Sequence, residues 1–277
     1  MKKLRKLLSG LKHRLLGARY KVVDGALAGR SLRVIRGTLS PAADKDDAWL
    51  FYLMGRFERI FDIGANIGQS ALMAKVQGAD KRLLLADPNP EALSLAAKNL
   101  ILNGWATSCD FVTAFVGDAD GEKIKFWTVG AGAAGSMYKG HAATAAAAGL
   151  SAEVPTVRID TLVLRIGWTP ELVKIDVEGA EAKVLKGATQ LAAQRRAWFM
   201  VEMHSPPELP MTENAALVLD WAKSVGYTVW YMRDACLLTT PKALADRGRC
   251  HLLLLPQGLA YPADLAQIRE NSPLPQS

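Results

Sequence analysis

Cysteine is scarce in this chain: Cys109, Cys236 and Cys250 are all that its 277 residues carry, and they lie far apart. Three scattered cysteines give neither a disulfide framework nor the paired spacing of a zinc site, and they fit a reducing, cytoplasmic setting. Long apolar runs are also missing, since no stretch approaches the roughly 20 residues of a membrane span. There is no internal repeat. Acidic residues are nearly absent from the first 36 positions, where Asp24 stands alone against eleven Lys and Arg. That segment therefore carries +10, and taking it from the chain's +7 leaves −3 for the remainder. The basicity belongs to an N-terminal arm, while the acidic body argues against a nucleic-acid substrate, which would favour a basic rim.

In the arm, Leu4, Leu7, Leu8, Leu11, Leu15 and Leu16 recur at three- and four-residue steps among basic residues. The spacing predicts a basic amphipathic helix. Lys12, His13 and Arg14 interrupt any apolar core of a signal peptide. Two readings stand side by side. One lays residues 1–20 on an anionic membrane surface, at the inner face of the membrane. The other packs the leucines on the protein's own domain or on a second copy, as a homodimer.

Residues 31–43, punctuated by Gly37, Ser40 and Pro41, read as a connection, so residues 1–43 are taken as arm and linker. From 44 to 256, strand and helix patterns alternate. Helices are expected at Trp49–Phe57, Glu91–Asn103, Glu181–Leu191 and Glu213–Val225. Strands are expected at Arg59–Ile63, Leu83–Ala86, Phe111–Val116, Ile124–Trp127, Leu172–Val177, Trp198–Val201, Tyr227–Met232 and His251–Leu255. Repeated βα units predict an α/β fold, a doubly wound and mostly parallel sheet. The last two strands have no obvious helix between them, which makes one of them antiparallel. Residues 130–149 are mostly Ala and Gly around Ser136, Tyr138, Lys139 and His141, and read as a surface loop or a substrate lid. Residues 257–277 read as a flexible tail.

The chemistry concentrates at strand ends. Arg59-Ile60-Phe61-Asp62 runs into the turn Ile63-Gly64-Ala65-Asn66-Ile67-Gly68, which opens a helical pattern. Gly64 and Gly68 carry no Cβ and can let backbone come close to a ligand. Nineteen residues past Gly68, a second apolar run ends at Asp87, placed to accept both hydroxyls of a ribose. A dinucleotide fingerprint needs glycine at the first, third and sixth positions, but Gly64 is followed there by Asn66 and Gln69, so an NAD oxidoreductase is disfavoured. Farther on, Asp176, Glu178 and Glu181 fall within six residues, and Glu202 and His204 end another apolar run.

Asp62-x-Gly64-x-Asn66-x-Gly68 resembles the first motif of class I methyltransferases. Together with Val173-Lys174-Ile175-Asp176-Val177-Glu178-Gly179-Ala180-Glu181, Val184-Leu185-Lys186-Gly187-Ala188, Val201-Glu202-Met203-His204 and Arg158-Ile159-Asp160-Thr161-Leu162, it is similar to the FkbM-type methyltransferases over roughly residues 45–256. Asp87 before Pro88 departs from the usual Glu. The resemblance implies a class I (Rossmann-like) fold with an antiparallel last strand, S-adenosylmethionine as cofactor, and O-methylation of a hydroxyl on a sugar or natural-product scaffold. It places the cofactor on Asp62, Gly64, Ala65, Asn66, Gly68, Asp87, Pro88, Asn103 and Asp118.

For the proton, His204 is the first candidate base, as the side chain whose ordinary pKa suits the task, with Asp176 and Glu178 next. Asp176 and Glu202 could hold Mg²⁺ or Mn²⁺, although a metal is not expected. Rival readings are an RNA or amide-nitrogen methyltransferase and a non-catalytic cofactor-binding module tethered to a membrane. Nitrogen methylation usually uses an Asn/Asp-Pro-Pro-aromatic turn where this chain has Asp176-Val177-Glu178-Gly179.

Overall fold

A computed structural model describes residues 21–40, 44, 46–130 and 135–275. Its strands, in chain order, are β1 (Val22–Leu27), β2 (Arg30–Ile35), β3 (Arg59–Ile63), β4 (Arg82–Ala86), β5 (Cys109–Val112), β6 (Phe115–Val116), β7 (Lys123–Trp127), β8 (Ser151–Val157), β9 (Leu172–Ile175), β10 (Trp198–His204), β11 (Tyr227–Tyr231), β12 (Cys236–Leu237) and β13 (Arg249–Pro256). Eight of these form one sheet in the order β12-β11-β13-β10-β9-β3-β4-β5. The β5-β4-β3-β9-β10 half is parallel, and β13 enters antiparallel between β10 and β11. This is the doubly wound sheet with an antiparallel last strand that the alternating pattern predicts.

Both faces of the sheet are covered, which is why its inner strands are apolar at successive positions rather than at every second one. Phe61, Ile63, Val173, Ile175, Phe199 and Val201 pack on one side against Trp168, Val184, Val218 and Trp221. Their strand neighbours Ile60, Leu172 and Met200 pack on the other side against Trp49, Leu53, Leu72 and Leu100. The Asp47–Arg56, Gln69–Gln77 and Pro90–Leu102 helices supply much of that second layer.

Four expectations change. Residues 31–43 are not simply a connection, because β1 and β2 pair antiparallel through the two-residue turn Ala28-Gly29, both at positive φ. That turn suits a hairpin, and the alternation of Leu32 and Val34 buries one face of β2. The stretch 111–116 splits, with β5 in the large sheet and β6 paired to β8 in a small one. The helix at 181–191 breaks into Glu181–Lys186 and Thr189–Ala193, where Gly187 passes so close to Gly117 that a Cβ would lie 2.0 Å from its carbonyl oxygen. The predicted helix of residues 1–20 lies outside the described residues.

The fourth change concerns residues 257–277. The described part of this segment docks on the core: Leu265 is fully buried, Ile268 nearly so, and Trp49 Nε1 donates to the Ile268 carbonyl at 3.2 Å. Sequence composition alone does not reveal the apolar seat these two side chains occupy. Truncation after Gln257 is expected to cost about 3 kcal/mol, the scale of uncovering two aliphatic side chains. Urea unfolding of the truncated and full chains measures it, and equal midpoints would return the segment to a loose tail.

Candidate functional site

All the parallel strands point their carboxyl ends to one rim, and the antiparallel β13 brings its first residues to the same rim. In an open α/β sheet ligands bind at that edge. Here it carries two contiguous pockets that share Gly64, Asn66, Asp176 and Glu178.

The first pocket is lined by Ile63, Ala86, Ala92, Phe115, Val116, Phe126 and Val177 around Asp87. Asp87 Oδ2 accepts from the Asn66 N–H and Oδ1 from the Asn89 N–H, each at 2.8 Å. Each oxygen is thus oriented by one backbone donor and keeps a lone pair for a ligand hydroxyl. Burial pushes the Asp87 carboxyl above its ordinary range, against those two hydrogen bonds. The glycine turn is built around this geometry. Gly64, at φ 80°, presses on β9 so closely that a Cβ would lie 1.7 Å from the Asp176 carbonyl oxygen. Gly68, at φ 84°, is needed for helix packing, since its Cβ would meet that of Ala96 at 2.6 Å. The N–H groups of Gly64 and Ala65 both bond to the Ala86 carbonyl, so they brace β4 and do not cradle a ligand. Asn66 Oδ1, by contrast, is buried in the cleft without a hydrogen-bond partner.

The second pocket is strongly polar, lined by Asp46, Asp47, Gln69, Lys174, Asp176, Glu178, Glu202 and Arg249 among others. Strand register explains the assembly. Asp62 faces Lys174 across β3 and β9, while Glu202 faces His251 and His204 faces Arg249 across β10 and β13. Lys174 Nζ donates to the Gly64 carbonyl at 3.0 Å and lies 3.3 Å from Asp176 Oδ2 and 3.4 Å from Asp62 Oδ1. Burial would lower the Lys174 ammonium, but the carboxylates of Asp176, Asp62 and Glu202 win and raise it. Burial also lifts Asp176, to about 7, against the pull of Lys174.

Beyond β9 the chain turns sharply, with Glu178 at φ 55° followed by Gly179 at φ 107°. A left-handed glutamate is uncommon and is held only where its surroundings enforce it. Here the Ser136 hydroxyl donates to the Glu178 carbonyl at 2.8 Å, and the Glu178 carboxylate contacts His141 Nε2 and lies 3.4 Å from His204 Nε2. His204 Nδ1 meets Glu181 Oε1 at 3.1 Å, and Glu202 Oε1 lies 3.5 Å from Nε2. Burial alone would lower His204, yet hydrogen bonding to Glu181 and Glu202 raises it to about 11. Burial likewise pushes Glu178 and Glu202 up, but their histidine partners outweigh it and hold both below the ordinary range.

The structure gathers Gly64, Ala65, Asn66, Gly68, Asp87, Pro88, Asp176, Glu178, Glu202 and His204 at the rim. Three expected contacts are displaced. Asn103 clamps the edge of β2, accepting from Arg33 N at 3.0 Å and donating to Arg33 O at 2.8 Å. Asp118 pairs with Lys183 and Lys186 at 3.6 and 3.4 Å. Asp62 lies beneath the floor, accepting a hydrogen bond from Ser70 and ion-paired with Lys174, and lines neither pocket. His204 has carboxylates facing both ring nitrogens, Glu181 at Nδ1 and Glu178 and Glu202 at Nε2, and their raising of its pKa favours it as a partner of the carboxylate wall over a role as base. The sequence assigns no role to Lys174, Arg249 and His251, and names Glu181 and His141 only as parts of an acidic run and of the loop. The alternation of Asp62 and Lys174 with apolar neighbours in paired strands was a readable signal for the first of them. His141 carries no such signal, because only tertiary contact places it.

Residues 62–229 match the family described as Methyltransferase FkbM domain. Comparison with curated proteins gives no match. Among solved structures the chain is similar to methyltransferase FkbM from Methylobacillus flagellatus KT, with 16% identity and a TM-score of 0.45 over 71% of this chain and 43% of that one. It is also similar to a putative O-methyltransferase from Klebsiella pneumoniae, with 13% identity and a TM-score of 0.43 over 78% and 82% of the two chains. A third is the O-methyltransferase TomG from Streptomyces achromogenes, with 13% identity and a TM-score of 0.45 over 76% and 79%. The chain spans less than half the length of the first of these.

Proposed function

This chain belongs to the FkbM methyltransferase family, whose cofactor is S-adenosylmethionine, and from that premise we propose that it methylates a hydroxyl oxygen of a sugar in glycan or natural-product assembly. The residues present fit the cofactor. An apolar pocket closed by Asp87 suits adenosine, with the carboxylate oxygens on the ribose hydroxyls, and the unpartnered Asn66 Oδ1 offers an acceptor to an ammonium group. When bound, the cofactor supplies a methyl group already activated by a positive sulfur. What the protein must add is alignment and a destination for the hydroxyl proton.

The observation that carries the oxygen reading is the carboxylate wall shared by both pockets, Asp176 and Glu178. A sugar hydroxyl is a poor nucleophile until its proton leaves. Asp176 is the base in this account: Lys174 holds its Oδ2, and the carboxylate stays half-exposed in the cleft. His204 instead stiffens the wall through Glu178, Glu181 and Glu202.

Incubation with methyl-labelled cofactor and a panel of sugar, lipid-linked glycan and RNA acceptors tests the reading. The expected result is label recovered as a methyl ether on a sugar. Label on a nitrogen or in RNA would contradict it, and cofactor binding without transfer to any acceptor would support the non-catalytic module. Among the described residues no helix is long and apolar enough to cross a membrane. Contact of residues 1–20 with an anionic membrane surface, or with a second copy, is a further part of this proposal.

A further inference from the structure

Two histidines, His141 and His204, stand beside Glu178, which lines both pockets. His141, Glu178 and His204 each offer one ligand atom, and the three atoms lie within 4.8 Å of one another. Each arrives from a different element: His141 from the segment between β7 and β8, Glu178 from the turn after β9, His204 from the end of β10. From these positions we propose that His141, Glu178 and His204 form a binding site for one divalent transition-metal ion behind the Glu178 wall that both pockets share.

Three features of the geometry support this. First, Glu178 Oε2 stands 3.4 Å from His204 Nε2 and also contacts His141 Nε2, so one carboxylate oxygen reaches both imidazoles. Ligands at the roughly 2.0–2.1 Å of zinc–nitrogen bonds stand about 3.4 Å apart in a tetrahedron. Second, His204 is already oriented as a metal ligand would be. Its Nδ1 is bound to Glu181, a fully buried carboxylate fixed in turn by the Gly179 N–H at 2.8 Å and the Asn214 amide at 2.9 Å. A carboxylate behind the far nitrogen of a histidine sets the ring and directs the other nitrogen at an ion. Third, the helix dipole that could account for an acid at the start of Glu181–Lys186 does not require it to be fully buried against an imidazole and an amide.

Two imidazoles with one carboxylate select a transition ion over Mg²⁺ or Ca²⁺, which prefer all-oxygen sites. This differs from the Asp176 and Glu202 pair that the sequence offers as possible ligands, because His141 becomes a ligand and Asp176 stays free as base. Three protein ligands leave one position for an acceptor oxygen, whose proton a bound ion would make easier to remove. That last role rests on the hydroxyl-methylation reading, whereas ion binding itself does not. Because His141 comes from the segment facing Pro207 and Glu208, with the Gly140 N–H bonded to Glu208 Oε1 at 2.7 Å, an ion would also tie this segment to the β10 side of the cleft.

The test is equilibrium dialysis of the metal-stripped full chain against Zn²⁺, with bound metal measured directly. One ion per chain is expected, undisturbed by excess Mg²⁺. His141→Ala and Glu178→Gln should each weaken binding by about tenfold or more. Cys236 is exposed and could take zinc on its own, so dependence on His141 is the criterion rather than binding alone. Cofactor titration of His141→Ala shows that the variant is folded and that the methyltransferase reading stands independently. Absence of saturable binding in the parent chain, or a His141→Ala variant that binds as tightly, would overturn the site.

Discussion

Asp176→Asn is expected to lower methyl transfer by roughly 10²–10⁴-fold, the usual contribution of a positioned general base, while cofactor affinity changes little. Asparagine keeps the shape of the side chain and can still approach Lys174, which retains Asp62 as its other carboxylate partner at 3.4 Å. What it loses is the capacity to take a proton at the point where the cofactor and acceptor pockets meet. The split between affinity and turnover separates this role from a structural one. Initial rates with labelled cofactor, set beside a cofactor titration of the same protein, measure both. A variant that turns over like the parent would remove Asp176 from the mechanism. One that loses cofactor affinity in proportion would recast it as a binding residue.

Lys174→Met is expected to cost about 3–5 kcal/mol of stability, the range for removing one partner of a buried ion pair. The Lys174 side chain is 9% exposed and sits over Asp62, which is 1% exposed. Methionine fills the stem but leaves Asp62 charged in a site where only Ser70 still bonds it. Combining Lys174→Met with Asp62→Asn should recover part of the loss, because the orphaned charge goes with it. Urea unfolding of the two single variants and the double variant gives the comparison. A double variant no more stable than Lys174→Met alone would mean that Lys174 acts through the Gly64 carbonyl, 3.0 Å away, and not through Asp62.

What is legible in this sequence follows the range of the interactions involved. The strands and most helices are legible because hydrophobic pattern is local, and the shared position of Gly64 and Asp87 at one pocket is legible because both belong to one βαβ unit. Asn103 and Asp118 misled for the opposite reason. An asparagine at a helix end or an aspartate after a strand has several equally good partners, and the β1–β2 hairpin and the Glu181–Lys186 helix took them. The base reading of His204 uses its ordinary pKa, a property of the isolated residue, whereas carboxylates from the turn after β9, from β10 and from the following helix raise it. His141 could not be ranked at all from its Ala- and Gly-rich surroundings. The arm of residues 1–20 lies outside the described residues.

The central claim is that the β3–β4 pocket binds S-adenosylmethionine through Asp87, and calorimetric titration of the parent chain and Asp87→Ala with S-adenosylmethionine and with NAD tests it most directly. Two hydrogen bonds accepted by a carboxylate at about 1.5–3 kcal/mol imply that the variant binds S-adenosylmethionine at least about tenfold more weakly, with no NAD binding in either protein. Equal affinity in the variant, or a preference for NAD, would contradict the account.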